Sequence, residues 1–415
     1  IHNQLQDMKG KVRVFARGRP MAKYEIEKGC ETCVSYDDVT ALTVRVDGGA
    51  GHTGGNDPHE TVRHFEFDAC FSPETTQEDV FADTEMLLDS VVDGYNVCVF
   101  AYGQTGSGKT FTMSGTPEVP GLTPRCCMGL FQRIEALRSR GFSCNVKTYF
   151  VELYNDNLVD LIRKVKKKSS KDDKDAPKLD IKMDARKQVY VRNVEVMPIS
   201  EGGGAAELMR LFDKGNKMRK VGATKMNAES SRSHSIFAIQ VETEDLSSGK
   251  KSFGKLSLID LAGSERMKKT GATKDQLKEA NSINKSLSSL GDVIGALTTG
   301  ADFVPYRNNK LTQLMQDSLG GSAKTLMFVN FSPADYNAEE TMGSLTYATR
   351  VKQIKNNVEK AVESKEVAVL KAKILTLQRQ LLAGGAGGGT AEDDESSASA
   401  SASGSEGSDD DDEEE

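Results

Sequence analysis

The chain is 415 residues long, 37% hydrophobic and 28% charged, with a formal net charge of −7. Twelve acids and no Lys or Arg lie in residues 384–415, which leaves residues 1–383 at +5: a mildly basic body with an acidic, Ser/Ala/Gly-rich tail that is too polar to bury a core and is expected to be disordered. No signal peptide and no apolar run of membrane-spanning length is evident, which points away from secreted and membrane proteins and toward a soluble intracellular one.

The chain opens on Ile1 rather than Met and is expected to be a fragment with sequence missing upstream. Residues 1–11 read as the polar end of a helix that stops near Gly10. A strand follows over residues 11–17 (KVRVFAR), where charged and apolar side chains alternate. Cys30 and Cys33 form a lone C-x-x-C. A zinc site needs a second ligand pair, and none of the seven cysteines supplies one at suitable spacing, so reduced thiols are expected. Residues 46–60, rich in Gly and His, read as a surface loop. The apolar run Val97-Cys98-Val99-Phe100-Ala101 suits a buried strand and leads into residues 103–110, GQTGSGKT. Residues 148–160 are strand-like and then turn. Residues 163–178 hold eight basic and three acidic side chains without periodicity, which reads as a solvated insertion or, alternatively, as a contact for an acidic polymer. Residues 255–261 (KLSLIDL) are a second short buried strand. Residues 276–297 form a long amphipathic helix with apolar side chains at 283, 287, 290 and 294. Strands alternating with helices around a Gly-rich loop predict an α/β fold, a central mainly parallel β-sheet with helices on both faces.

GQTGSGKT matches the phosphate-loop pattern G-x-x-x-x-G-K-[ST] at every required position. A strand, a Gly-rich turn and a helix start place backbone N–H groups around phosphate oxygens. Gln104, Thr105, Gly106, Ser107 and Gly108 are the candidate cradle, Lys109 the reach to the β- and γ-phosphates, and Thr110 the magnesium hydroxyl. Hydrolysis also needs a γ-phosphate sensor and a water-ordering group. The strand 256–261 runs into Asp260-Leu261-Ala262-Gly263, a D-x-x-G in which Asp260 would hold magnesium through water and the Gly263 amide would bind the γ-phosphate. Helicases usually end this strand in Asp-Glu instead, and GTPases need N-K-x-D; here Asn284-Lys285 is followed by Ser286-Leu287. Asn227-Ala228-Glu229-Ser230-Ser231-Arg232-Ser233-His234-Ser235 supplies a hydroxyl cluster with an arginine.

Together GQTGSGKT, NxxSSRSH and DLAGSER resemble the motor domain of kinesins, a P-loop NTPase fold, over residues 12–357. Phe67-Asp68, Phe71 and residues 304–312 (VPYRNNKLT) extend the likeness. The resemblance implies ATP/ADP and Mg²⁺ as ligands, with Arg17, Arg19 and Pro20 lining the adenine site and Phe111 near the base. It implies that Arg232 and Glu265 pair when the γ-phosphate is in place, with Ser230 close to the attacking water and Ser231 adding to the magnesium shell. It further implies microtubules as partner. Lys268, Lys269, Lys285, Arg307 and Lys310 match the face toward acidic tubulin, in a screened and therefore salt-sensitive contact. The expected location is the cytoplasm and its cytoskeleton, with no nucleic-acid or membrane partner. The alternative within this reading is a non-motile microtubule-binding scaffold, against which stand Lys109, Asp260, Arg232 and Glu265.

The flanks resemble two different things. Residues 3–14 are similar to the neck of C-terminal-motor kinesins, which move toward microtubule minus ends and dimerise through an upstream stalk. Residues 350–358 (RVKQIKNNV) look like the neck linker of plus-end motors. The plant and algal kinesin-like calmodulin-binding proteins show both. That likeness makes residues 358–383, about 39 Å long as a helix, a candidate calmodulin-binding segment. Val367, Leu370, Ile374, Leu377 and Leu381 form its apolar stripe, the first four being the candidate calmodulin contacts. Glu359, Glu363 and Glu366 dilute its charge, so a short coiled coil or a helix docked on the motor stays open as a rival.

Overall fold

A strand covered on both faces reads as a nearly continuous apolar run, and Asn96–Tyr102 is buried at all seven positions. Val97, Val99 and Ala101 point to one side, Cys98, Phe100 and Tyr102 to the other, and each set joins a separate apolar cluster. This strand lies in the middle of the computed structural model, which describes residues 10–46, 61–163, 177–226, 230–265 and 274–364, together with 367, 370, 373, 374, 376 and 377. For residues 220–226, 230 and 274–278 the backbone alone is described.

In spatial order the main sheet runs Met197–Ile199, Phe142–Tyr154, His234–Asp245, Lys251–Asp260, Asn96–Tyr102, Lys324–Phe331, Arg13–Gly18 and Ala69–Phe71. From Lys251–Asp260 to Ala69–Phe71 every pairing is parallel. From Met197–Ile199 to Lys251–Asp260 every pairing is antiparallel. The sheet is thus mixed where a mainly parallel one was expected. One of these pairings is a tight reversal, in which His234–Asp245 returns as Lys251–Asp260 over a turn tied by Asp245, and the other two join strands distant in sequence.

Helices cover both faces. On one, Lys274–Thr299 contributes Leu287, Leu290 and Ile294, and Ala338–Val351 contributes Leu345, Ala348 and Val351. The three-stranded sheet Val34–Tyr36, Ala41–Val46 and Thr61–Glu66 joins this side. On the other face lie Met86–Val92, Leu122–Arg138 and Gly204–Met226, with Leu88, Leu130 and Leu208 in the core. The helix read at 276–297 is present within Lys274–Thr299, with its apolar stripe turned inward. The first strand starts at Arg13, two residues later than the alternation suggested. Its charged residues do not face water: Arg13 is 3% and Arg17 7% exposed. Both are accommodated by specific partners. The Arg13 guanidinium sits 4.9 Å from the Phe15 ring centroid, and Arg17 donates to Gln77 and Thr112.

One buried ion pair ties the layers together. Lys255 and Asp317 have side chains 4% and 1% exposed and are hydrogen-bonded to each other. Lys255 Nζ also donates to Val189 O at 2.9 Å, while Asp317 accepts from Val189 N at 2.9 Å and from the Ser318 hydroxyl at 2.9 Å. Burial alone would lower the Lys255 pKa; Asp317 and then Tyr149 outweigh it and hold the ammonium above its ordinary value.

Both flanks of the motor-like body meet. Val12 N donates to Ile354 O at 3.2 Å and Asn356 N to Gly10 O at 2.6 Å, with Lys11 bridged to Lys355. Gly10 has φ +65°, and a Cβ there would meet Asn356 O at 2.1 Å, so glycine is required. Lys11 is therefore not the end of a helix; residues 1–9 lie outside the described residues. Asn356 then locks the turn before Lys324–Phe331, donating to Ser318 O at 2.8 Å and Ala323 O at 2.7 Å. The expected helix cannot begin at 358. Residues 358–364 are extended, held by Glu359 N to Ser322 O and Ala361 N to Gly94 O, and Val362–Glu363 pairs antiparallel with Lys251 and Ser252. The strand edge satisfies their backbone, and a helix would forfeit those bonds. The chain divides into units 1–365 and 366–415. In the second unit the described residues 367, 370, 373, 374, 376 and 377 are helical. The acidic tail, the loop at 47–60 and the basic stretch 164–176 lie outside the described residues.

Breaking the buried pair should be costly. Asp317→Ala strands the Lys255 ammonium and is expected to lower unfolding free energy by about 3–5 kcal/mol in urea titrations. The double substitution Lys255→Met with Asp317→Leu should cost less than that single change. A double variant as damaged as the sum of its parts would refute the pairing.

Candidate nucleotide site

The central strand ends at Tyr102, and the chain turns at once. Gly103 has φ +145°, and a Cβ there would lie 2.0 Å from Asn330 O; Gly108, with φ +98°, caps the short helix Lys109–Met113. A side chain at Gly103 would collide with the neighbouring strand, and one at Gly108 would be strained by its positive φ. Lys109 is 5% exposed and folds back over this loop, donating to Gly103 O and Gln104 O at 2.8 Å each. Burial lowers its pKa, Asp260 and Glu265 oppose that, and Arg219 adds to it. A phosphate oxygen would take the place of those carbonyls.

Parallel pairing brings the second motif to the same edge. Asp260 is opposite Ala101, and Thr110 Oγ1 donates to Asp260 Oδ2 at 2.8 Å. Asp260 is 5% exposed, and its Oδ1 has no hydrogen-bond partner among the described residues. A buried carboxylate oxygen left unsatisfied beside a threonine hydroxyl fits a hard, oxygen-seeking divalent cation such as magnesium. Ser231 lies in the single 3₁₀ turn Ser230–Arg232 and reaches this site through its backbone, its carbonyl accepting from Gly263 N at 2.7 Å. The amide expected to sense a γ-phosphate is therefore bonded to Ser231 here. The Ser230 side chain lies outside the described residues.

Arg232 and Glu265 each have a different partner. Arg232 donates to Glu279 Oε2 at 2.9 Å, on the long helix Lys274–Thr299. Glu265 accepts from Thr105 N at 2.6 Å and from the Thr105 hydroxyl. One member of the expected pair is held by the helix and the other by the phosphate loop. Sequence reading also missed Arg219, which is buried at 7% and donates to Asp260 Oδ2 at 3.3 Å, Ser235 Oγ at 3.2 Å and Ser233 O at 2.9 Å. It stands in the run KGNKMRK, and nothing local to that run marks Arg219 as a cation that turns into the site.

A cavity of about 310 Å³ adjoins the loop, lined by Arg17, Arg19, Pro20, Gln77, Phe111 and others, including the unforeseen Pro73 and Thr75. Arg17 donates to Gln77 Oε1 at 2.7 Å and lies 5.6 Å from the Phe111 centroid; burial brings its pKa down to about 10. Arg19 binds Gly106 O at 2.7 Å and forks onto Glu25 at 2.6 and 2.7 Å. Burial would raise the Glu25 pKa, but Arg19, the Ala22 amide and Ser332 outweigh it and hold it at about 2. A charged pair thus fixes the cavity wall.

The basic face is only partly assembled from the predicted residues. Lys285 and Arg307 are exposed. Lys310 is half-buried and donates to Asp156 O at 2.5 Å, next to a turn where Asn155 and Asp156 adopt φ of 47° and 57°. Its ammonium holds that turn, a structural task the sequence did not disclose. Lys268 and Lys269 lie outside the described residues. In the second unit, Val367, Leu370, Ile374 and Leu377 are helical and 42–58% exposed.

Residues 17–354 match the family model described as kinesin motor domain. The chain is 48% identical over 371 residues to the kinesin-like protein KIN-14E of Arabidopsis thaliana, covering 89% of this chain and 28% of that protein. Its fold is similar to that of a fast kinesin, with 36% identity, a TM-score of 0.74 and coverage of 85% of this chain and 94% of that one. It is also similar to the C-terminal motor and motor homology domain of Kar3Vik1 fused to a synthetic heterodimeric coiled coil, with 37% identity, a TM-score of 0.70 and coverage of 84% and 87%. A match over residues 17–354 that runs through the phosphate loop, the SSRSH segment, the D-x-x-G turn and the sheet that joins them leaves one assignment: this chain belongs to the kinesin motor domain family.

Proposed function

We propose that this chain is an ATP-hydrolysing microtubule motor that moves toward minus ends. The observation that supports this most is the meeting of Lys109, Thr110 and Asp260 with Ser231, Gly263 and Glu265 at one edge of the sheet. Thr110 and Asp260 would hold magnesium, with Ser231 completing the shell; the ion supplies charge neutralisation for the phosphates. Lys109 exchanges its carbonyl partners for phosphate oxygens. The loop Gln104–Gly108 surrounds them with amides and excludes water. Gly263 leaves Ser231 for the γ-phosphate, and Arg232 and Glu265 leave Glu279 and Thr105 to pair with each other. That closure orders the attacking water near Ser230, and loss of the γ-phosphate undoes it.

Glu265→Ala removes the closing pair and releases the Thr105 amide and hydroxyl that Glu265 holds, while leaving Lys109 and the glycines of the cradle in place. Nucleotide affinity should stay within a few-fold, while microtubule-stimulated turnover falls by about 100-fold or more. Wild-type stimulated turnover in this variant would remove Glu265 from the mechanism.

Direction rests on the likeness of the N-terminal flank to C-terminal-motor kinesins and on its direct entry into Arg13–Gly18. Surface-held protein, attached through its native upstream segment, is expected to move polarity-marked microtubules with plus ends leading. Minus-end-leading gliding would overturn the assignment.

Calcium–calmodulin regulation through Val367, Leu370, Ile374 and Leu377 is supported by an exposed apolar stripe on a helix beyond the docked segment. The acidic residues 409–415 resemble tubulin in charge and, on a short tether, compete for the basic face. Because residues 358–363 pair with the body, the informative comparison is the full chain against one ending at Ser364. Calcium–calmodulin should weaken microtubule cosedimentation of the full chain alone. Equal weakening of both, or of neither, would exclude this helix as the switch.

A further inference from the structure

His234 stands two residues after Arg232, at the start of His234–Asp245, and is 3% exposed. Its ring joins two other elements. Nδ1 accepts from the Ala262 backbone amide at 3.0 Å, and Nε2 lies 2.8 Å from Ser286 Oγ. An amide can only donate, so Nδ1 is unprotonated and the proton is on Nε2. Ser286 Oγ gives its own hydrogen to Ile283 O at 2.7 Å and is free to accept from Nε2–H. The ring is therefore neutral in a single tautomer. Burial, then Arg219 and Lys109, keep its pKa at about 3, so it does not charge in the working range.

The three elements are the functional ones. Ala262 precedes Gly263, whose amide is bonded to Ser231 O. Ser286 sits on Lys274–Thr299 directly after the exposed Lys285. The same helix holds Arg232 through Glu279, and residues 279 and 286 lie seven apart, two turns along one face. The two contacts differ in kind. Arg232–Glu279 is part-exposed, at 27% and 9%, and must open for Arg232 to reach Glu265. His234–Ser286 is buried and involves no group that binds nucleotide, so it survives that exchange.

We propose that His234 is a positioning residue that couples the helix carrying Lys285 to the Ala262–Gly263 turn, acting as the fixed pivot beside the releasable Arg232–Glu279 latch. This rests on the reading that Lys285 faces the microtubule. A shift of that helix on the polymer carries Ser286, turns the imidazole through its Nε2–H, and moves the Ala262 amide bonded to Nδ1. Gly263 and its bond to Ser231 follow. Hydrogen bonds of 2.8 and 3.0 Å on opposite sides of one rigid ring leave little slack for either end to move alone.

The test uses Ser286→Ala, which deletes the helix end of the link by a single oxygen, and Ser286→Thr, which keeps the hydroxyl. His234→Asn retains an acceptor for Ala262 but cannot reach Ser286. Without polymer, Ser286→Ala should speed hydrogen exchange at the Ala262 amide at least five-fold, and Ser286→Thr should restore protection. With microtubules, Ser286→Ala and His234→Asn should each lower stimulated turnover at least ten-fold, leaving unstimulated turnover and microtubule affinity within two-fold. The double variant should be no worse than either single one. Unchanged Ala262 exchange in Ser286→Ala would overturn the link whatever the polymer does. Equal loss of basal and stimulated turnover would reduce it to a structural contact. Failure of the microtubule-face reading shows separately, as Lys285→Ala leaving cosedimentation unchanged.

Discussion

The parallel register between Asn96–Tyr102 and Lys251–Asp260, with Asp260 opposite Ala101, is the constraint on which the site depends. Two strands that run the same way deliver their following loops to the same edge, so the phosphate loop and the D-x-x-G turn emerge side by side. From that register follow the Thr110–Asp260 bond, the unsatisfied Asp260 oxygen beside it and the contact of Glu265 with Thr105. A shift of one residue would send Asp260 to the opposite face of the sheet. The register is protected because both strands are buried on both sides, and any slip would place Leu256 or Leu258 against the wrong cluster.

Around this fixed edge the charged groups are held in provisional pairings. Arg232 is held by Glu279, Glu265 by Thr105, Lys109 by two carbonyls and Gly263 by Ser231. None is left bare, which matters because an unpaired buried charge costs several kcal/mol. In the function proposed above, each would be traded for a bond to phosphate or to another of these residues with little net change in the number of bonds. Such near-balanced exchange is what lets a small ligand difference tip a two-state site.

The legible part of this protein was the part whose chemistry is local in sequence. GQTGSGKT, D-x-x-G and the apolar strands declare themselves because a turn, an amide cradle and a buried strand need particular residues in an unbroken row. The stripe of Lys274–Thr299 was legible for the same reason. What the sequence could not show depends on which distant segments meet. Arg219 is one of several cations on its helix, Glu279 is an unremarkable acid, and the His234–Ser286 bond spans 52 positions. Lys310 has the composition of a surface charge and the geometry of a turn anchor. Residues 358–364 carry a helix-compatible pattern, yet an open strand edge at Lys251 and Ser252 offers their backbone partners that a helix cannot reach. In each case tertiary context overrode local preference.

The clasp between residues 10–12 and 354–356 has a mechanical consequence. The two short segments run antiparallel, so force entering at Gly10 and force leaving after Asn356 act on the same end of the ladder. Loaded this way, the bonds meet tension one at a time, beginning with Asn356 N to Gly10 O, and yield at far lower force than bonds sheared together. Asn356 is also the residue whose side chain ties down Ser318, Gly320 and Ala323 at the rim of the sheet. Strain entering at Gly10 would therefore be felt first at a joint that belongs to the downstream segment, at a place where the described ends of the body meet.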